Sequence, residues 1–111
     1  SVKNTNIYNV GDKGISAGES SNLYLENIQI DSSEFGIVSK DLSIIKGKEI
    51  NITNSFQYDY MAFEKKNHFG PGLIDLKNIE GNTKSLSQKE SVITINDKKV
   101  ESKNFNPKVF Y

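Results

Sequence analysis

The sequence has no cysteine, no tryptophan, two prolines and one histidine among its 111 residues. Without cysteine the chain forms no disulfide and no thiolate metal site, and it has no cysteine nucleophile. A single histidine also excludes the two-histidine spacings that bind zinc. No glycine-rich phosphate loop or Gly-x-Ser-x-Gly elbow is present. We therefore predict no metal, no cofactor and no catalytic residue.

The sequence also has no excess of positive or negative charge. Fourteen Lys and Arg residues balance fourteen Asp and Glu residues, and neither sign is gathered into a block. This removes the electrostatic argument for a nucleic-acid or anionic-membrane partner. The chain also contains no run of 18 apolar residues and no visible signal peptide. We expect no nucleic-acid partner and no membrane insertion.

What the sequence does contain is a repeat with an offset of about 22 residues, centred on residues 21–55. Each cycle holds short strand patterns joined by polar corners, without helical spacing. The period predicts an all-β parallel solenoid, in which equivalent side chains of adjacent coils form ladders roughly 4.8 Å apart. The predicted ladders are Ile15–Ile37, Leu23–Ile45, Ile28–Ile50 and Ile30–Ile52, with Ser33–Ser55 at a corner.

The later part of the chain departs from the repeat. The offset grows from Ile45 to Ile74 and from Ile50 to Ile79, which predicts an inserted loop at 64–72. We predict coils over 1–81 and a cap over 82–111, made of a polar loop at 81–90 followed by a hairpin. A cap suits a solenoid because its last coil exposes an unpaired edge.

Three segments carry a family resemblance: Gly11–Ser16, Gly36–Asp41 and His68–Gly72. They resemble coils of the right-handed parallel β-helix in the pectate-lyase-like superfamily. More narrowly, they are similar to β-helix segments of bacterial surface proteins associated with spore-coat-H kinase-like domains. The resemblance implies about three to four coils of about 22 residues and an extracellular or cell-envelope location. Members include polysaccharide lyases, hydrolases and epimerases as well as structural and adhesive proteins, and no catalytic motif of theirs is matched here.

The candidate ligand-binding residues are Tyr24, Lys46, His68 and Phe69. Tyr24 lies between two leucines predicted to face inward, so it should point outward, above Lys46 by the repeat. His68 and Phe69 lie in the predicted inserted loop, where a histidine can act as a general base. An aromatic ring beside a cation on an exposed face suits a polysaccharide.

Glu19 and Asp41 are 22 residues apart and should stack on adjacent coils. Such a pair suits the acid and base of a glycosidase, or a calcium site. Lys40 and the segment 64–65 would join the same ladder, however. We therefore favour a mixed-sign, solvent-exposed ladder with a structural role.

Three hypotheses for function follow. The leading one is a non-catalytic structural or binding module of a larger bacterial surface or secreted protein, facing a glycan. The alternative is a fragment of a polysaccharide-acting enzyme with its catalytic coils upstream, for which three or more charged groups should converge in one groove. The third is a folding or oligomerisation terminus with an exposed apolar stripe on its tail. The first coil, Val2 to Tyr8, is expected to allow self-association through its exposed edge.

Overall fold

The computed structural model describes residues 1–8, 11–65, 70–81 and 83–110. Of residue 110 it describes the backbone alone. These residues form a parallel β-solenoid of about four turns of about 22 residues. A single 3₁₀ turn, Pro107–Phe110, is the one helical segment in the described part of the chain. The predicted all-β solenoid is confirmed.

The strands alternate between two sheets that form opposite walls of the solenoid. Those of the first sheet are β1 (Val2–Tyr8), β3 (Asn22–Asp31), β5 (Ile44–Thr53), β7 (Leu73–Lys77), β9 (Val92–Ile95) and β10 (Lys98–Lys99). Those of the second sheet are β2 (Lys13–Ala17), β4 (Phe35–Lys40), β6 (Tyr58–Phe63), β8 (Ser85–Gln88) and β11 (Ser102–Lys103). Every pairing is parallel except that of β9 with β10, which forms the predicted hairpin.

The register follows the four predicted apolar ladders residue for residue. Leu23 pairs with Ile45, Ile28 with Ile50, Ile30 with Ile52 and Ile15 with Ile37. The longer offset from Ile45 to Ile74 is present as well, and no strand lies in the described part of the inserted loop. The ladders hold because each inward side chain meets an apolar neighbour on the next coil and is removed from water.

Two hydrophobic clusters pack against the sheets. The larger lies between the two sheets and includes Leu25 and Ile45 from the first sheet and Ile37 from the second. The smaller, aromatic cluster around Phe35 and Phe63 is formed by strands of the second sheet. Gly47 pairs with Leu25 on the preceding coil, and the two backbones approach closely. A Cβ added at Gly47 would lie 2.1 Å from the backbone oxygen of Leu25. This close approach requires glycine.

Residues with positive φ recur where the coils bend. Asn4, Asn27, Glu49 and Asn78 interrupt β1, β3 and β5 and follow β7, with φ between 52° and 59°. Their registers place them in one ladder, and Asn27 donates a hydrogen bond to Asn4 at 2.8 Å. The bend at Asn27 is therefore made by a left-handed residue that is repeated on successive coils.

One detail of the sequence interpretation is wrong: the polar stretch 81–90 is not a loop throughout, because Ser85–Gln88 pairs in parallel with β6 and extends the second sheet. Phe35 pairs with Tyr58 at an offset of 23, so the third coil is one residue longer here than the 22-residue repeat. The division into coils (1–81) and cap (82–111) stays a prediction.

Candidate functional site

A row of side chains of different chemistry crosses the outer face of the first sheet. Register pairs Tyr24 with Lys46, Lys46 with Asp75, and Asp75 with Thr94. These positions alternate with the buried Leu25, Ile45 and Ile74 or their neighbours, so their side chains stand on the outside. We call Tyr24, Lys46, Asp75 and Thr94 the outer row. Its members are spaced by the distance between strands, roughly 4.8 Å.

The structure places Tyr24 beside Lys46 as the 22-residue offset predicts, and 39% of the tyrosine is exposed. Its phenol donates a hydrogen bond of 3.3 Å to Glu26 Oε1. Glu26 in turn lies 4.0 Å from Lys48 Nζ. These contacts tie the tyrosine hydroxyl to side chains of β3 and β5, while much of the residue stays accessible to solvent.

A groove of about 470 Å³ opens at the same place. It is lined by Ser1, Asn22, Leu23, Tyr24, Ile44 and Lys46. Ile44 is 36% exposed and pairs with the half-buried Leu73 on the next strand. The groove therefore offers an aromatic ring, an apolar strip and an ammonium group within one surface.

Asp75 extends this surface by one strand. Its side chain is half-buried, and its Oδ1 atom is buried without a hydrogen-bond partner among the described residues. A buried carboxylate oxygen that accepts no hydrogen bond is costly, because it has lost water and gained nothing in exchange. Lys46 is its neighbour on β5, yet no ion pair forms between the two in the described part of the chain. Asp75 Oδ1 is thus an acceptor whose capacity the fold leaves unused.

Asp75 and Thr94 are the candidate residues that sequence reasoning missed. The signal was available, because the 29-residue offset that relates Ile45 to Ile74 also relates Lys46 to Asp75. Thr94 was harder to find, since the offset from β7 to β9 shortens to 19 residues. His68 and Phe69, which were also predicted to bind ligand, lie outside the described residues.

A second cleft, of about 330 Å³, lies at a corner of the coils between Gly18, Glu19, Lys40, Asp41 and Lys65. Ser20 N–H donates to the Asp41 carbonyl at 2.8 Å, which stacks the two corners as predicted. The ladder has mixed sign, but it is not solvent-exposed throughout. Asp41 is only 1% exposed, and its Oδ1 accepts the Lys65 backbone N–H at 2.8 Å. The carboxylate thus satisfies the backbone of the next coil, a structural role.

The cations of this corner influence one another. Burial lowers the pKa of the Lys40 ammonium, and the neighbouring charges of Lys65 and Lys13 lower it further. The negative charges of Asp41 and Asp12 act in the opposite direction and raise the pKa of Lys40. Positive and negative charges are therefore both crowded at this corner. We therefore assign a structural role to the charged residues of this corner.

No group of three or more His, Cys, Asp or Glu side chains is placed to hold a metal ion within the described ranges. In the same part of the chain, no helix has the length and apolar character needed to span a bilayer.

Comparison with known proteins adds no assignment: no protein-family model, no curated protein and no solved structure matches this chain.

Proposed function

We propose that this chain is a non-catalytic carbohydrate-binding module, a solenoid that presents the outer row and its adjoining groove to a polysaccharide. The observation that carries the proposal is the juxtaposition of Tyr24, Lys46 and Asp75 on adjacent strands of one exposed face. We also propose that its coils wind in the right-handed sense of the pectate-lyase-like superfamily, and that it works outside the cell or in the cell envelope, as the resemblance implies.

The chemistry of the outer row suits sugar rings. A pyranose has an apolar C–H face, which packs against an aromatic ring or an aliphatic strip, and hydroxyl groups at its rim. The Tyr24 ring and the Ile44 side chain supply the apolar contact. The half-buried Asp75 carboxylate accepts a hydrogen bond from a sugar hydroxyl, and Lys46 donates one to a hydroxyl oxygen. Hydrogen bonds to charged groups are the stronger kind.

The geometry of the row further supports a polymer over a small ligand. The outer row runs from strand to strand along the first sheet, so its polar groups lie on successive strands instead of converging on one point. An extended chain of sugars lying parallel to the axis would meet a new side chain at each strand. Binding would then sum several weak contacts along the row.

The alternative, a fragment of a polysaccharide-acting enzyme, requires acidic or basic groups that converge in one groove. The corner cleft gathers four charged residues, but Asp41 is engaged with the backbone of the next coil. The alternative therefore remains a proposal for coils upstream of this chain.

The test is binding of the purified chain to a broad glycan array, followed by titration of any ligand found. We expect specific binding that Tyr24→Ala weakens about tenfold, equivalent to about 1.4 kcal/mol. Asp75→Asn should weaken it severalfold while keeping the shape of the side chain. Phe56→Ala is the matched control, because Phe56 is 71% exposed but lies away from the row. Absence of glycan binding, or equal losses in the Phe56 and Tyr24 variants, would reject the proposal.

A further inference from the structure

The left-handed bend of the coils divides the outer surface along the first sheet into two halves of different charge. The strand segments before the bend carry four lysines: Lys3, Lys46, Lys48 and Lys77. Four segments begin at the bend and contain no lysine or arginine: 4–8, 27–31, 49–53 and 78–81. Their acidic residues are Asp31, Glu49 and Glu80. The outer row lies before the bend, so the half after the bend is a separate surface of acidic character.

Three amide side chains lie in line on this second surface. Register pairs Asn6 with Gln29, and Gln29 with Asn51, on adjacent strands. All three residues are exposed, and Gln29 lies between the buried Ile28 and Ile30, so the line stands on the outside of the sheet. We call Asn6, Gln29 and Asn51 the amide row. Its members are spaced by the distance between strands, roughly 4.8 Å.

The amide row differs from the other amides of the coils, because its hydrogen-bonding groups are not used by the fold. At the bend Asn27 donates a hydrogen bond to Asn4, and at the corner Asn54 donates one to Asp31. Among the described residues, no side-chain hydrogen bond engages a member of the amide row. Asparagine is also depleted in strands, where β-branched and aromatic side chains pack better. The row therefore contributes little to stability, and its donors and acceptors face solvent.

A cleft of about 270 Å³ adjoins the amide row at Asn51. Its other lining residues are Glu49, Ile50, Asn78 and Glu80. The 29-residue offset that relates Lys48 to Lys77 also relates Asn51 to Glu80, so the glutamate continues the line of the row beyond the end of β7. The cleft thus places carboxylate oxygens beside an amide, and no lysine or arginine lines it in the part of the chain that the structure describes.

We propose that the amide row and this cleft form a second carbohydrate site, whose ligand is a neutral polysaccharide. The inference rests on the proposed function, because it gives the same module a further site, but it uses no residue of the outer row. Each amide presents two N–H donors and an acceptor oxygen, which match the donors and acceptors of neighbouring sugar hydroxyls. The carboxylates of Glu49 and Glu80 accept further hydrogen bonds from hydroxyls and repel an anionic chain.

The test measures how far the chain is retarded in native gels that contain a polysaccharide. The probes are a glucan, a mannan, a galactan and a xylan, each beside its carboxymethylated form. The parent for the test is the Tyr24→Ala chain, because its outer row is impaired. We expect this chain to bind at least one of the neutral polymers, and to bind the carboxymethylated form of that polymer at least about fivefold more weakly because of charge repulsion.

Removing an amide of the row should weaken the remaining binding. We expect Gln29→Ala or Asn51→Ala, added to the Tyr24→Ala chain, to reduce the affinity for the neutral polymer about fivefold, the loss of one hydrogen-bonding group. Asn104→Ala is the matched control, because Asn104 is an exposed amide outside the row. Gln29 and Asn51 are both exposed, so either variant serves if circular dichroism shows that the other fails to fold.

Three results would overturn the inference: no binding of the Tyr24→Ala chain to any of the neutral polymers, binding of the carboxymethylated forms that is equal or stronger, or equal losses from Asn104→Ala and Gln29→Ala. The outer row is tested separately by the same measurements. Binding that Tyr24→Ala abolishes would overturn the second site and leave the proposed function in place. Binding that Tyr24→Ala leaves unchanged and Gln29→Ala weakens would support the second site and reject the outer row.

Discussion

At the scale of single residues, polar side chains at the corners tie one coil to the next. Asp31 ends β3, and its Oδ1 accepts hydrogen bonds from Thr53 Oγ1 at 3.0 Å and Asn54 Nδ2 at 2.8 Å. Both donors lie on the following coil, 22 and 23 residues away. One carboxylate oxygen therefore joins two turns of the solenoid where the apolar ladders end.

These hydrogen bonds make a prediction about pH. Asn54, followed by Thr53, lowers the pKa of Asp31 below its ordinary 3.8. A carboxylate with a depressed pKa in the folded state contributes stability above its unfolded pKa and loses it as pH falls through the folded value. We expect the urea midpoint to fall as pH drops below about 3.8, and Asp31→Asn to reduce that dependence. Urea titrations at pH 6 and pH 3 measure this change in midpoint for both proteins. An equal change in the variant and the parent chain would contradict the role of Asp31.

At the scale of the element, the ladder of left-handed residues shows how the coils turn without glycine. Asn4, Asn27 and Asn78 occupy three of its four positions, and asparagine tolerates positive φ better than other residues with a Cβ. Glu49 is the exception, with φ of 59°. Among the described residues, no side-chain hydrogen bond of Glu49 compensates for its strained backbone.

Glu49→Asn should therefore stabilise the protein by about 0.5–1 kcal/mol, since it relieves part of the left-handed strain. The substitution would also place an amide next to Asn27 in the ladder. Glu49→Gln is the control, because it removes the same charge but keeps the long side chain. Chemical denaturation compares the two variants. Equal effects would mean that charge, and not backbone conformation, decides the stability at this corner.

The strands of the first three coils could be predicted because apolar side chains recur at one offset. Leu23, Ile28 and Ile30 each meet an isoleucine 22 residues later. A slip of the register by one residue would turn these side chains to the outer face and bury polar ones. β8 could not be predicted in this way, since Leu86 is its only apolar residue. Its backbone pairs with β6 and β11, so neighbouring strands, not its own composition, make it a strand.

The candidate site likewise has residues that the sequence predicts and one that it does not. Once the register is known, Tyr24 and Lys46 follow from the repeat. The unpartnered oxygen of Asp75, in contrast, is a property of the folded surroundings. No pattern in the sequence distinguishes Asp75 from the other acidic residues, because burial of a single atom depends on side chains of its own strand and of the two strands beside it.

At the scale of the whole molecule, stability depends on contacts between successive coils, because each coil touches only its neighbours. A solenoid of about four turns has few such interfaces. Contacts that cover the apolar side chains at its ends are therefore important for its stability. At the C-terminal end Phe105 closes the aromatic cluster, with its ring centroid 6.4 Å from that of Phe63 at an angle of 69°. This contact joins the last segment of the chain to β6.

We expect Phe105→Ala to destabilise the protein by about 2 kcal/mol, less than the 3–5 kcal/mol typical of a fully buried phenylalanine because Phe105 is only half-buried. Val109→Ala, in the same segment but 71% exposed at the valine, should change stability by less than about 0.5 kcal/mol. Urea unfolding measures both. If the cap and the coils unfold together, both variants keep the m-value of the parent chain. Equal losses would refute the role of Phe105, and a lower m-value or a second transition in Phe105→Ala would show that the cap unfolds separately from the coils.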